Sequence, residues 1–251
     1  MGMSWIESAV IYHIFIDRFA GYDPARDWQQ PEHMGGNIRG IIDKFEYIRS
    51  LGVNTIWLSP FYKSLSFHGY DITDYMAVDE RFGTEADLKE LIDLAHKAGV
   101  KVIADMVPNH LSWKHPYFLD AQQNRDSKYH DWFIWDDWPK KYRRFITFDV
   151  MPKINLENPD ARAHMLDAAR KWLNLGLDGY RIDHVMGLSN QIVSAIFGQL
   201  KQEFPDRAFI GEAAIFGGDG EPASSTINIR GSYPAGAAQI SSVGVTTVRA
   251  E

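Results

Sequence analysis

The stretch DGYRIDHV, residues 178–185, sets an arginine and an aspartate two positions apart in an otherwise mostly apolar run. In an extended strand successive side chains alternate between faces, so Arg181 and Asp183 point one way and Tyr180 and Ile182 the other. Burying such a pair in a sheet is unfavourable unless something uses it. A second acid, Glu212, stands in another short apolar run, AFIGEAA (208–214). Two carboxyl groups at the ends of adjacent strands suit cleavage of a glycosidic bond. Retaining enzymes of that kind hold the pair about 5–5.5 Å apart, close to the spacing of about 4.8 Å between neighbouring strands. On this reading Asp183 is the nucleophile, held ionised and oriented by Arg181. Glu212 is the acid/base, its proton retained by the apolar surroundings of GEAAIF. Asp105, Asn109 and His110, in DMVPNH (105–110), close a further strand and add polar groups to the same rim. Taken singly, each has a plainer reading: a structural ion pair, a solvated rim acid, a turn cap and a structural histidine.

Five strand candidates position these groups: AVIYHIFI (9–16), NTIWLSP (54–60), KVIADMV (101–107), DGYRIDHV (178–185) and AFIGEAA (208–214). Each is nearly continuous in apolar residues, as parallel strands covered on both faces are. Helices alternate with them. TEADLKELIDLAHKAG opens at Thr84 with Asp87 three residues on, and stops at Gly99. ENPDARAHMLDAARKWLNLG has Asn158 as its cap, Pro159 in the first turn and Gly176 at its end. The segments 37–52 and 188–204 complete the helical set. The order requires a parallel sheet with right-handed crossovers. Two architectures fit, a closed (β/α)8 barrel and an open doubly wound sheet. No G-x-G-x-x-G or Walker pattern follows any strand, and polar residues gather at strand C-terminal ends, which favours the barrel. The expected fold class is therefore α/β, a partial TIM (β/α)8-type barrel of about five strands with a small inserted lobe after the third. That lobe, 108–156, is too long and too aromatic for a plain connection.

Composition narrows the function. The 251 residues carry a net charge of −7, with 45% hydrophobic and 24% charged residues, the profile of an ordinary globular protein. No basic excess points to nucleic acid, and no apolar run is long enough to span a bilayer. Cysteine is absent, which excludes disulfides and thiol chemistry. No positive n-region precedes residues 9–16, so a cytoplasmic location is expected. Aromatic residues make up 13% of the chain; most belong to packing, but sugar clefts also favour such rings.

Several motifs in register then point one way. HGYDITDY (68–75), DMVPNH (105–110), MPKIN (151–155), GYRIDHV (179–185) and GEAAIF (211–216) resemble the motifs of α-amylase family glycoside hydrolases, in the family's order and spacing. DRF (17–19) and MGGNIRGI (34–41) resemble that family's opening segment, so the likeness runs from about residue 8 to 216. MPKIN is similar to the form seen in neopullulanase, cyclomaltodextrinase and maltogenic amylase relatives. The resemblance implies a retaining hydrolase of α-1,4 glucans such as starch or maltooligosaccharides, with α-1,6 bonds as a further option and transglycosylation as a competing outcome. It implies Asp183 as nucleophile, Glu212 as acid/base and Arg181 as the residue positioning the nucleophile. His110 would bond a sugar hydroxyl and Tyr70 would stack beneath the sugar. Asp105 would belong to the substrate-binding set as a structural aspartate near the site. Asn109 matches a calcium ligand in many members, so Ca2+ is the cofactor implied. A second calcium site beside DRF is put in question by GYDPARD (21–27), which departs from the usual Asn-Gly-Asp run.

The family's third carboxylate, an aspartate after a histidine at the seventh strand, has no counterpart in this sequence, nor do strands six to eight. After Phe216 the composition changes to Gly, Ser, Ala and Thr, with no Leu, Phe, Trp or Lys. This reads as a flexible or weakly β-forming tail that replaces the second half of a barrel. The expected organisation is residues 1–107 as the first part of the barrel, 108–156 as the inserted lobe, 157–216 as the barrel's continuation and 217–251 as the tail. Exposed edges at strands one and five predict a homo-oligomer. The expected partner is an α-glucan, with neither nucleic acid nor membrane. The alternative is a catalytically impaired fragment that only binds glucan.

Overall fold

The computed structural model describes residues 4–27, 31–216, 222–229 and 240–243. Its central sheet holds β1 (Ile11–Ile14), β2 (Thr55–Leu58), β3 (Lys101–Met106), β4 (Gly179–Ile182) and β5 (Ala208–Phe216), side by side in sequence order. All four pairings among them are parallel, with Ile11 beside Thr55, Thr55 beside Lys101, Ile103 beside Gly179 and Gly179 beside Ala208. A sheet that grows in one direction without reversing has no topological switch point, so the doubly wound alternative is excluded. This is an α/β fold with a partial TIM-barrel-like arrangement.

Beyond β5 the sheet continues with two antiparallel strands, β6 (Pro222–Ile229) and β7 (Ile240–Val243). This corrects one expectation. The outer edge of β5 is not bare, because Ile210 through Phe216 pair with Asn228 through Pro222. The expected tail therefore supplies two strands; its other residues lie outside the described ones. The outer edge of β1 has no strand partner among the described residues.

The helices follow from their end signals. Thr84 and Asp87 form a reciprocal capping box that starts Glu85–Lys97. Asn158 accepts from the backbone of Asp160 and Ala161, and starts Pro159–Leu175. The helix expected over 37–52 is broken at Lys44 into Ile38–Asp43 and Phe45–Ser50, since the Lys44 backbone leaves the helical region at φ −96° and ψ 9°. The helix expected over 188–204 contains a π-turn at Ser194–Gly198. The sequence reading also missed a hairpin, Tyr62–Ser64 against Ile72–Val78, which carries the HGYDITDY motif.

Strand alternation divides the side chains into two populations. Tyr180, Ile182 and Phe209 point outward into the main core, where they meet Trp172, Phe197 and the aromatic trio Phe61, Tyr62 and Tyr75, all fully buried. The opposite face holds a small separate cluster of Ile6, Ile11, Ile103, Ala208 and Ile210 at the strand N-terminal end. One residue pair further along each strand that face turns polar: His13, Trp57, Asp105, Arg181 and Glu212. At Gly179, with φ 153°, a Cβ would stand 1.9 Å from the Ala208 carbonyl oxygen, so only glycine permits β4 and β5 to approach here. Close approach at this point is what brings the two acid-bearing strands into register.

Residues 108–156 form a lobe over the strand C-terminal ends. It contains the helix Pro116–Gln123, two short hairpins (Trp135–Asp137 with Lys141–Tyr142, Arg144–Phe145 with Phe148–Pro152) and an aromatic packing of Phe118, Phe133, Trp135 and Tyr142. Phe118 and Phe133 belong to the same buried cluster as the sheet's outer face, so lobe and barrel share one core.

Candidate active site

Arg181 is the hub of the site. Its side chain leaves the centre of β4, only 9% exposed, and its Nη1 lies 2.6 Å from Asp105 Oδ1 on β3 and 2.9 Å from Asp183 Oδ1 just past β4. Its Nη2 reaches Glu212 Oε1 on β5 at 2.5 Å. One guanidinium thus grips three carboxylates from three consecutive strands, a geometry that its planar fork allows and a lysine does not. Trp57 from β2 lies beneath, its ring centroid 5.1 Å from the guanidinium carbon, and His13 from β1 stacks on Trp57 at 3.8 Å. Every strand from β1 to β5 therefore contributes one residue to this floor.

Asp105, expected as a structural aspartate near the site within the substrate-binding set, lies beneath it as a support. It is fully buried, and both carboxylate oxygens are already engaged: Oδ1 by Arg181, Oδ2 by the Trp57 indole N–H and the Tyr70 hydroxyl, each at 3.1 Å. It holds Arg181, Trp57 and Tyr70 in place and presents nothing to a ligand. Tyr70 closes the same side, with its ring near that of His68.

The electrostatic premise for the acid pair also changes. Sequence neighbours suggested a desolvated Glu212 and an ionised Asp183. Instead the Asp183 side chain is 10% exposed and that of Glu212 is 46% exposed. Burial pushes the Asp183 carboxyl up to about 7, against the pull of Arg181 and with help from the charges of Asp105 and Glu212. The apolar residue next to Glu212, Ala213, is buried on the opposite face of the strand.

Two backbone groups fix the acids. The Asp183 N–H donates to the Met106 carbonyl at 2.8 Å, extending the β3–β4 ladder. The His184 N–H donates to Glu212 Oε2 at 3.0 Å. His184 achieves this in a left-handed conformation, φ 46° and ψ 48°, uncommon for a residue with a Cβ and typical of places where function sets the backbone.

His110 forms the wall. It is 1% exposed, and its Nε2 is buried without a hydrogen-bond partner among the described residues. Burial and the neighbouring His184 lower its pKa to about 3, so the ring is neutral. The Phe145 ring of the lobe stacks on His110 at 4.5 Å and meets His184 edge-on at 4.8 Å. Phe145, Trp57, His13 and His184 were not singled out from sequence. Trp57 and His13 were accessible through strand alternation; Phe145 arrives on a hairpin whose fold no local pattern announces.

The calcium expectation rests on Asn109. Its Oδ1 is buried and unpartnered, as a metal ligand's would be. Calcium takes 6–8 oxygens, usually including carboxylates. Gly187, whose missing side chain would run into Asn109 Oδ1, has its carbonyl accepting from the Lys153 ammonium at 2.6 Å. Among the described residues no three His, Asp or Glu side chains converge as a metal site.

An α/β barrel-type sheet with three carboxylates gathered by one arginine at the strand C-termini defines a class of enzyme domain that works at the barrel mouth. The sequence comparisons narrow the class: the chain matches the catalytic domain of alpha-amylase over residues 13–216 and belongs to the alpha-amylase family. It is 43% identical over 211 residues to Alpha-amylase 2 of Dictyoglomus thermophilum, covering 83% of this chain and 37% of that protein. It is 35% identical over 232 residues to Neopullulanase 2 of Thermoactinomyces vulgaris, covering 83% of this chain and 39% of that one. Among solved structures, the ligand-free cyclic alpha-maltosyl-(1→6)-maltose hydrolase of Arthrobacter globiformis superposes with a TM-score of 0.78 at 31% identity, covering 84% of this chain and 52% of that one. The chain thus spans less than half the length of the two curated relatives.

Proposed function

We propose that this domain carries out retaining hydrolysis of α-glucans of the starch and maltooligosaccharide type, mainly at α-1,4 linkages. Asp183 Oδ attacks the anomeric carbon while Glu212 gives its proton to the departing glycosidic oxygen, so the C–O bond to the leaving sugar breaks as the bond to Asp183 forms. Glu212, now a carboxylate, takes a proton from water or from an acceptor hydroxyl, and that oxygen displaces Asp183 with the original anomeric configuration restored. Arg181 fixes the nucleophile, and Asp105 fixes Arg181. The free Nε2 of His110 serves a sugar hydroxyl, the ring of Tyr70 lies against the sugar face, and Phe145 closes the site from above.

Asp183 and Glu212 on opposite nitrogens of the Arg181 guanidinium are the observation that supports this most, since one group contacts both acids. The lower side-chain exposure of Asp183 suits a residue that must shed water before attacking carbon. Product analysis on soluble starch, pullulan and a cyclodextrin tests the reading. Oligosaccharides released as α-anomers, and not released by Asp183→Asn, are expected. Glucan binding with no turnover in the parent chain would instead establish the binding-only alternative.

A further inference from the structure

Three segments meet behind the nucleophile: Asn109 at the exit of β3, Lys153 at the end of the lobe, and the turn 184–187 that follows Asp183. Backbone bonds stitch the first two together, with Ile154 N–H donating to the Asn109 carbonyl at 3.0 Å and Leu111 N–H to the Pro152 carbonyl at 3.1 Å. The third is pressed against them. A Cβ on Gly187 would lie 2.4 Å from Asn109 Oδ1 and 2.5 Å from the His184 ring, so the turn has no slack there. Its carbonyl points to the Lys153 ammonium, 2.6 Å away. The turn closes on itself through the Gly187 N–H donating to the His184 carbonyl at 2.9 Å.

At this joint the one positive charge placed on a backbone carbonyl among the described residues is the Lys153 ammonium on Gly187, beside the unpartnered Asn109 Oδ1. We propose that the Lys153 ammonium is the structural cation of this joint, in place of calcium, and that Lys153 is a positioning residue for the turn carrying Asp183 and His184. A charge-assisted bond to a backbone carbonyl is stronger than a neutral one, and this one ties the lobe to the turn whose His184 N–H holds Glu212. The lysine brings its charge on the chain itself, so the lobe is secured without a bound ion. This goes beyond the glycosidase reading and does not need it, because its test reads stability.

Thermal unfolding of the full chain provides that test, followed with EDTA and with millimolar calcium chloride for the parent, Lys153→Met, Lys153→Arg and Asn109→Ala. Methionine matches the lysine stem and removes only the charge. The parent is expected to melt at the same temperature, within about a degree, in EDTA and in calcium. Lys153→Met is expected to melt several degrees lower, with Lys153→Arg recovering part of the loss. A parent melting temperature that rises by several degrees with calcium, the rise vanishing in Asn109→Ala, would overturn the proposal. So would a Lys153→Met variant as stable as the parent. The calcium arm on the parent decides the matter even where Lys153→Met is recovered unfolded.

Discussion

Asp183→Asn is expected to lower glucan turnover by about 10⁴-fold or more, because it removes the atom that bonds to the anomeric carbon. The same change is expected to stabilise the fold at alkaline pH. The Asp183 carboxyl rises from its ordinary value of 3.8 to about 7 on folding, chiefly through burial. A carboxyl raised in this way favours the folded state only while protonated. Its contribution is fully present below pH about 4 and is lost as pH climbs through 7. Every tenfold gain in proton affinity corresponds to about 1.4 kcal/mol, so the charged form opposes folding by up to about 4 kcal/mol above neutrality. Asparagine keeps an oxygen for Arg181 and carries no charge, and a gain of about 2 kcal/mol at pH 8 is expected, shrinking to nothing by pH 4. Denaturation at several pH values checks this. The parent's rate should also rise with pH through about 7, since the nucleophile works deprotonated. A variant destabilised at pH 8, or a flat acid limb in the parent, would contradict the electrostatic account of the site.

Arg181→Ala should cause the largest loss of stability among the site residues. Three carboxylates share this guanidinium, and Asp105 is wholly buried with no other cation bonded to it among the described residues. Removing one partner of a buried ionic cluster typically costs about 3–5 kcal/mol. The sign with pH follows from the same linkage. Without Arg181 the carboxyls of Asp105 and Asp183 move further up, so the variant's deficit is smallest in acid, where they are protonated, and grows toward pH 8. Arg181→Lys should recover part of the loss, since an ammonium is a point charge that cannot fork to acids on three strands. Urea unfolding at pH 5 and pH 8 separates these cases. A loss below about 1 kcal/mol, equal at both pH values, would mean that the cluster does not depend on its cation.

How much of this was legible in the sequence depends on which residues are asked about. The pairing of Arg181 with Asp183 on one face followed from strand alternation alone, and the ladder of five parallel strands followed from short apolar runs separated by capped helices. Alternation also explains the misreading of Glu212. Its neighbours are apolar, but in a strand the adjacent residue belongs to the other face, so Ala213 is buried while the Glu212 carboxylate faces the open mouth. The partners of Asp105 were not legible for a different reason. A motif gives a residue's position and not the number of donors that converge on it, and here Trp57, Tyr70 and Arg181 come from three separate segments. Phe145 and Lys153 act across the lobe–barrel joint, where contacts between residues 34 and 35 positions apart arise from tertiary folding and leave no periodic trace. The broken helix at Lys44 is the least predictable element, since no glycine or proline marks the break.

The central claim is that Asp183 forms a bond to the sugar while Glu212 handles the proton. It is tested most directly by trapping that bond with an α-glucosyl fluoride carrying a second fluorine at carbon 5, which slows release of the sugar from the enzyme. Intact mass should rise by one glycosyl unit, and fragmentation should place the added mass on Asp183, with Glu212→Gln still accepting the label because fluoride needs little acid assistance to leave. A label on any other residue, or a natural substrate cleaved with inversion of the anomeric centre, would contradict the account.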